Sequence, residues 1–244
     1  DCTFEDCNTS FSTITNYRWG TYNLNMIVRN CTFRNNYANT EPGAINNCAH
    51  LIVYDSTFEG NSAEWWAGAI HTHSYANTTI INSVFKDNLA GWNGGALYTY
   101  SYLKVINSTF LSNIAVGNSV GGGAIAASSY GSNPTVIIEN STFKYNQAIN
   151  MRGGAISVID SCVLNVYNSL FVNNSALNDL GNAISDYYSG SSNTSAYFTY
   201  INNIFYGPND GYGSVFAGNE YLNIVSVNNS VMDSIFYVDP DENN

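Results

Sequence analysis

Asn107-Ser108-Thr109-Phe110-Leu111-Ser112-Asn113-Ile114-Ala115, followed by Gly121-Gly122-Gly123-Ala124-Ile125, is the stretch whose reading decides the fold. Both halves recur along the chain. The phenylalanine stands at 33, 58, 85, 110, 143, 171 and 205, with a partial copy ending at Phe4, and the spacings are 29, 25, 27, 25, 33, 28 and 34 residues. The second anchor places Ala44, Ala69, Ala96, Ala124, Ala155 and Ala183 at intervals of 25, 27, 28, 31 and 28. Two anchors running in step at such a period mean a solenoid, a propeller or an array.

Working outward from Phe110, the residues seven and five places upstream are Leu103 and Val105. Leu51 and Val53, Val136 and Ile138, and Leu164 and Val166 take the same places in other copies. Apolar residues alternating at a period of two mark a half-buried strand. Three residues before each phenylalanine comes a polar corner, Asn30, Asp55, Asn82, Asn107, Asn140, Asn168 or Asn202. Asparagine suits it by bonding local backbone and tolerating turn conformations. Three residues after come Asn36, Asn61, Asn88, Asn113, Asn146 and Asn174, which stacked coils would join into an amide ladder. The glycine before Ala-Ile, Gly123 in this copy, reads as a tight bend.

No segment shows a sustained helical period. Three short strands and three turns per coil predict an all-β chain, a single-stranded parallel β-helix of seven or eight coils in one domain spanning 1–244. Regular coils fill 26–206. Residues 1–25 form an irregular first coil, in which Trp19-Gly20-Thr21-Tyr22 reads as a degenerate Ala-Ile anchor, and 207–244 hold a degenerate last coil and tail. The loops around Tyr130 to Pro134 and Tyr188 to Asn193 are the long insertions and are expected to protrude. A chain that opens mid-repeat and stops without a cap reads as a segment of a longer one.

Hydrophobic residues make up 45%, enough for a continuous core, while only 10% are charged, so Asn, Ser, Thr and Tyr must provide solvation. With 7 Lys plus Arg against 18 Asp plus Glu the net charge is -11, which argues against nucleic acid and anionic membrane surfaces as partners. No apolar run is long enough for a membrane-inserted helix, and no leader precedes Asp1.

The paired signature, as in Phe143 to Asn146 with Gly153 to Ile156, resembles the repeat of the chlamydial polymorphic outer membrane proteins. It is similar also to the large Asn- and Tyr-rich adhesin-like surface proteins of methanogenic archaea. The resemblance is strong over residues 30–184. It implies a right-handed parallel β-helix, exported to the cell surface and used in adhesion to a host or neighbouring-cell glycan or surface protein. The alternative is a structural subunit of a filament or cell envelope, because open coils present strand edges to further copies. A third reading is a carbohydrate-active enzyme, since pectate lyases and polygalacturonases share this solenoid.

Hydrolysis of that kind needs paired carboxylates. The positions after Ala-Ile that alternation turns outward, Asn46, His71, Tyr98, Ala126, Ser157 and Ser185, include none, and Asp160 and Asp186 are expected at different places in their coils. No nucleophile motif and no cofactor motif is present, so the sequence reads as non-enzymatic. The best binding candidates are aromatic. Trp65 and Trp92 share a position in successive coils, with Trp66 beside them and Tyr98 and Tyr100 on the following strand. Flat exposed rings suit sugars or a partner protein; the plain alternative is a ring stack that shields a loop.

His71 and His73 fall on one face of a strand near Cys48 and His50, but no clear fourth ligand completes a metal site, and none is expected. Cys2 and Cys31 sit two residues before repeat phenylalanines, where later copies carry serine. Stacking brings them within reach of a disulfide, the alternative being two thiols at a serine position. Sequons for N-glycosylation stand at Asn8, Asn30, Asn77, Asn107, Asn140, Asn173, Asn193 and Asn228. Those at the repeat corner, such as Asn107 and Asn140, are expected to be inaccessible, and Asn77 and Asn193 to lie in loops.

Overall fold

The computed structural model describes residues 1–18, 24–117, 119–130, 133–159, 161–177, 181–187, 197–207, 216–217 and 223–232. Its strands form four sheets of nine, seven, eight and eight members, each strand pairing in parallel with its equivalent in the next coil. Among the described residues, seven coils contribute a strand to every sheet. The coil of Phe110 comprises Thr109–Leu111, Ile114–Ala115, Ile125–Ser128 and Thr135–Glu139. Each of these seven coils therefore has four strands where three were expected; the two-residue strand is too short to show a period of its own.

The polar corners explain themselves in backbone angles. Asn30, Asn82, Asn107, Asn140 and Asn168 have φ of 50°, 50°, 49°, 49° and 49°. Asparagine enters this left-handed region at lower cost than most residues. A second left-handed corner follows two residues after the phenylalanine, as at Asn35, Asp87 and Ser112 with φ of 53°, 54° and 54°. The bend assigned to Gly123 belongs instead to Gly122, whose φ is 71°. Gly123 is required for another reason: a Cβ there would lie 2.1 Å from the carbonyl oxygen of Gly154 in the next coil.

Inside, the phenylalanines stack face to face. Centroid separations are 4.7 Å for Phe33–Phe58 and Phe58–Phe85, 4.9 Å for Phe85–Phe110 and 4.8 Å for Phe110–Phe143. The expected amide ladder is present. Asn113 Nδ2 donates to Phe85 O and to Asn146 Oδ1, both at 2.9 Å, while its Oδ1 accepts from the Asn88 backbone N–H at 3.1 Å and from Asn88 Nδ2 at 2.9 Å. A serine ladder runs parallel to it: the Ser83 N–H donates to Ser108 Oγ at 3.1 Å, and Ser108 Oγ–H donates to Ile106 O at 2.8 Å.

The first coil is more regular than its sequence suggests. Thr3–Glu5, Asn8–Thr9 and Ile14–Asn16 pair in register with the coil above, and Ile14 faces Ile45. Thr13-Ile14 thus takes the Ala-Ile position, whereas Trp19-Gly20-Thr21-Tyr22, expected to fill it, lies outside the described residues. Cys2 and Cys31 are free thiols, which corrects the disulfide expectation. Cys31 behaves as a serine substitute, its Sγ directed at Arg29 O at 3.1 Å.

Candidate functional site

The sheet that starts at Ala-Ile differs from the others in having its outer face covered. His71 pairs in register with Asn46 on one side and Tyr98 on the other, as alternation predicts, yet Asn46, His71, Tyr98, Ala126, Ser157 and Ser185 are all buried. The cause is the edge running from the short Asn-x-Ala strand to Ala-Ile. It folds over the sheet and builds a second apolar cluster from Ala67, Tyr98, Val120, Ala126 and Ile159, with Trp66 and Tyr100 against it. The longer insertion of the Phe110 coil supplies Val120, whose N–H donates to Asn93 Oδ1 at 2.7 Å.

This covering divides the predicted aromatic patch. Trp65 and Trp92 remain on the surface, 40% and 44% exposed, with rings stacked at 5.3 Å and an interplanar angle of 8°. Trp66 lies beneath them, edge-on to Trp65 at 5.6 Å, and is half-buried. Tyr98 is removed from the surface altogether, and Tyr100 is half-buried, so neither belongs to an open face. A shallow groove beside Trp65 is lined by Tyr37, Ser62, Glu64 and Leu89, with the Tyr37 hydroxyl donating to Glu64 Oε1 at 2.7 Å. Rings and polar groups thus meet on one exposed edge.

Beneath Trp66 lies a polar cluster. Glu41, three residues before Ala44 and so at the coil position that Trp66 occupies next door, reaches His71 Nδ1 at 3.4 Å and His73 Nε2 at 3.7 Å through Oε2. His73 Nε2 also donates to Asn46 Oδ1 at 2.7 Å. His71 is enclosed by Tyr98, stacked at 5.3 Å, by Tyr100 edge-on at 5.3 Å and by Trp66 at 5.6 Å. Sequence reasoning placed the two histidines together but missed Glu41. Counting back from Ala44 to the insertion edge is the signal that finds it. His50, in contrast, belongs to the strand His50–Tyr54 of a different sheet, and Cys48 lies beside His73.

Burial and pairing separate the charges of these groups. Burial lowers His71 to about 4, against the opposing pull of Glu41. Burial would lower His73 as well, but Cys48 and Glu41 beside it raise it to about 9. Burial works to raise Glu41, yet hydrogen bonds from His71 and His73 outweigh it and hold the carboxyl at about 2. Near neutrality the site therefore holds a carboxylate, an imidazolium at His73 and a neutral His71.

A pH dependence of stability follows, for metal-free protein. The His73 contribution is complete below its unfolded value of 6.5 and is lost as pH rises through about 9. The His71 contribution is present above 6.5 and is lost as pH falls through about 4, and that of Glu41 is present above 4.5 and lost towards about 2. The melting temperature measured in chelator is thus expected to peak near pH 6.5, with Glu41→Gln flattening the alkaline limb. A parent curve that keeps rising from neutral to alkaline pH contradicts the His73 assignment.

The sequons fall out differently from their expectation. Asn77 opens the strand Asn77–Ile81 and is half-buried, not in a loop, whereas Asn107 and Asn140 at the repeat corners are exposed. Asn8 and Asn228 are exposed; Asn193 lies outside the described residues. The left-handed corner turns the asparagine side chain outward, which is why the repeat motif itself leaves it accessible. Asp160 also lies outside the described residues, and Asp186 is in register with Val158.

A family model described as a right handed beta helix region matches residues 18–205. Comparison with curated proteins and with solved structures gave no match.

Proposed function

From the premise that the chain belongs to the right-handed β-helix family, we propose a non-enzymatic, exported surface protein of adhesin-like type, a rod that presents its insertion edge to a glycan or protein partner. The observation that carries this reading is the exposed Trp65–Trp92 stack, 5.3 Å between centroids. Large aromatic faces left in water beside hydroxyl and carboxylate groups suit the alternating apolar and hydroxyl faces of a sugar ring. The pair is local to two coils: the next coil has Gly117 against Trp92, where a Cβ would lie 2.4 Å from the Trp92 Cα. That confines the stacked tryptophan pair to this point of the insertion edge.

The same fold supports pectate lyases, but the covered outer face after Ala-Ile leaves no open cleft over His71 and Tyr98. The test is binding to glycan arrays and to cell surfaces. Parent protein is expected to give discrete signals that Trp65→Ala/Trp92→Ala loses while keeping its circular dichroism spectrum. Equal binding by the double variant removes the stack from the interface.

A further inference from the structure

His71 sits at a position held by Tyr98, Ala126 and Ser157 in the coils that follow, so nothing in the repeat demands an imidazole there. Its side chain is fully buried, and Nε2 has no hydrogen-bond partner. A neutral imidazole carries one N–H and one lone pair. With Nδ1–H donating to Glu41, the lone pair of Nε2 stands bare among the rings of Trp66, Tyr98 and Tyr100.

The donor atoms on the other side converge. Glu41 Oε2 lies 3.4 Å from His71 Nδ1 and 3.7 Å from His73 Nε2, and one donor atom from each of the three residues falls within 4.8 Å of the others. Zinc held tetrahedrally by nitrogen and oxygen at about 2.0 Å keeps its ligand atoms roughly 3.3 Å apart, so small rotations of these side chains complete the geometry. We propose that Glu41, His71 and His73 bind a divalent late first-row transition ion, zinc by preference, with water or the Asn46 amide oxygen in the fourth position.

Binding at His71 Nδ1 moves the ring proton to Nε2, and an N–H suits electron-rich aromatic surroundings better than a lone pair does. Both imidazoles bind as neutral rings, so the ion competes with protons for His73 and its binding releases a proton. Two imidazoles and one carboxylate favour zinc, cobalt or nickel over calcium and magnesium, which require more oxygen ligands. The His73 and Glu41 side chains are 32% and 19% exposed, so the ion has a way in.

The full chain, stripped with chelator and dialysed, is to be titrated calorimetrically with zinc chloride alone and followed spectroscopically with cobalt(II) chloride alone. Expected are one ion per chain, a raised melting temperature, and a tetrahedral cobalt spectrum without a thiolate charge-transfer band. Glu41→Gln and His73→Ala should each weaken zinc by more than about 100-fold, beyond the loss typical of outer-shell changes, with unchanged circular dichroism. No heat with the parent overturns the proposal. So does undiminished zinc binding by the Glu41→Gln/His73→Ala double variant, which places the ion elsewhere, or a thiolate band, which places it on the free cysteines.

Discussion

Phe110→Ala is expected to lower the unfolding free energy by about 3 to 5 kcal/mol, measured as a shift in the urea midpoint. The ring is fully buried between Phe85 and Phe143, at 4.9 and 4.8 Å, so its removal opens a void with rigid aromatic walls on both sides. Neighbouring rings cannot slide into that void, because the parallel ladder fixes Phe85, Phe110 and Phe143 in register. Phe110→Leu, which keeps part of the volume, should cost less. A solenoid holds each coil only through its neighbours, so loss at this central rung spreads along the axis. An unchanged midpoint would contradict the ring stack.

Asn113→Asp should be at least as damaging although it replaces one atom group by another of the same size. Asn113 uses all of its hydrogen-bonding capacity inside the protein: two donations, to Phe85 O and Asn146 Oδ1, and two acceptances from Asn88. An aspartate puts an acceptor where the amide donated, facing two other acceptors, and leaves a buried charge uncompensated, which costs about 3 to 5 kcal/mol. Burial raises the folded-state pKa of the new carboxyl above its unfolded value of about 3.9. The unfolded chain then gives up the proton first as pH rises, so the variant is least stable at neutral pH. Relative to the parent, stability should be partly recovered on acidification towards about pH 4. A deficit that stays constant between neutral and acid pH would show that the carboxyl is reached by water and that the ladder is not sealed.

The sequence disclosed the parts of the fold that repeat. Seven rungs of phenylalanine and the asparagine ladder are visible because every copy solves one physical problem, stacking on an identical neighbour, with the same residue. Elements shorter than a period escaped. The two-residue strand Ile114–Ala115 cannot show alternation, and Gly122 and Gly123 cannot be told apart until one backbone is seen to be left-handed and the other closely approached. At the candidate site, alternation put His71, His73, Tyr98 and Tyr100 on one face correctly. It could not show that Trp66 and Val120 fold back over that face, because such covering depends on where an insertion edge goes and not on any period. Glu41 was missed for the same reason: it belongs to the edge, where each coil carries a different residue.

The amide ladder also has a sense of direction. Asn61 donates to Asn88, Asn88 to Asn113 and Asn113 to Asn146, never the reverse. In the amide-to-amide bonds each asparagine consequently turns its oxygen to the asparagine of the coil before it and an N–H to that of the coil after it, in the manner of a plug and socket. A coil copied or deleted at the level of the gene leaves matching faces behind, provided that it keeps its orientation. Length in such a chain is thus an adjustable trait, free to change by whole units while the insertion edges keep their own chemistry.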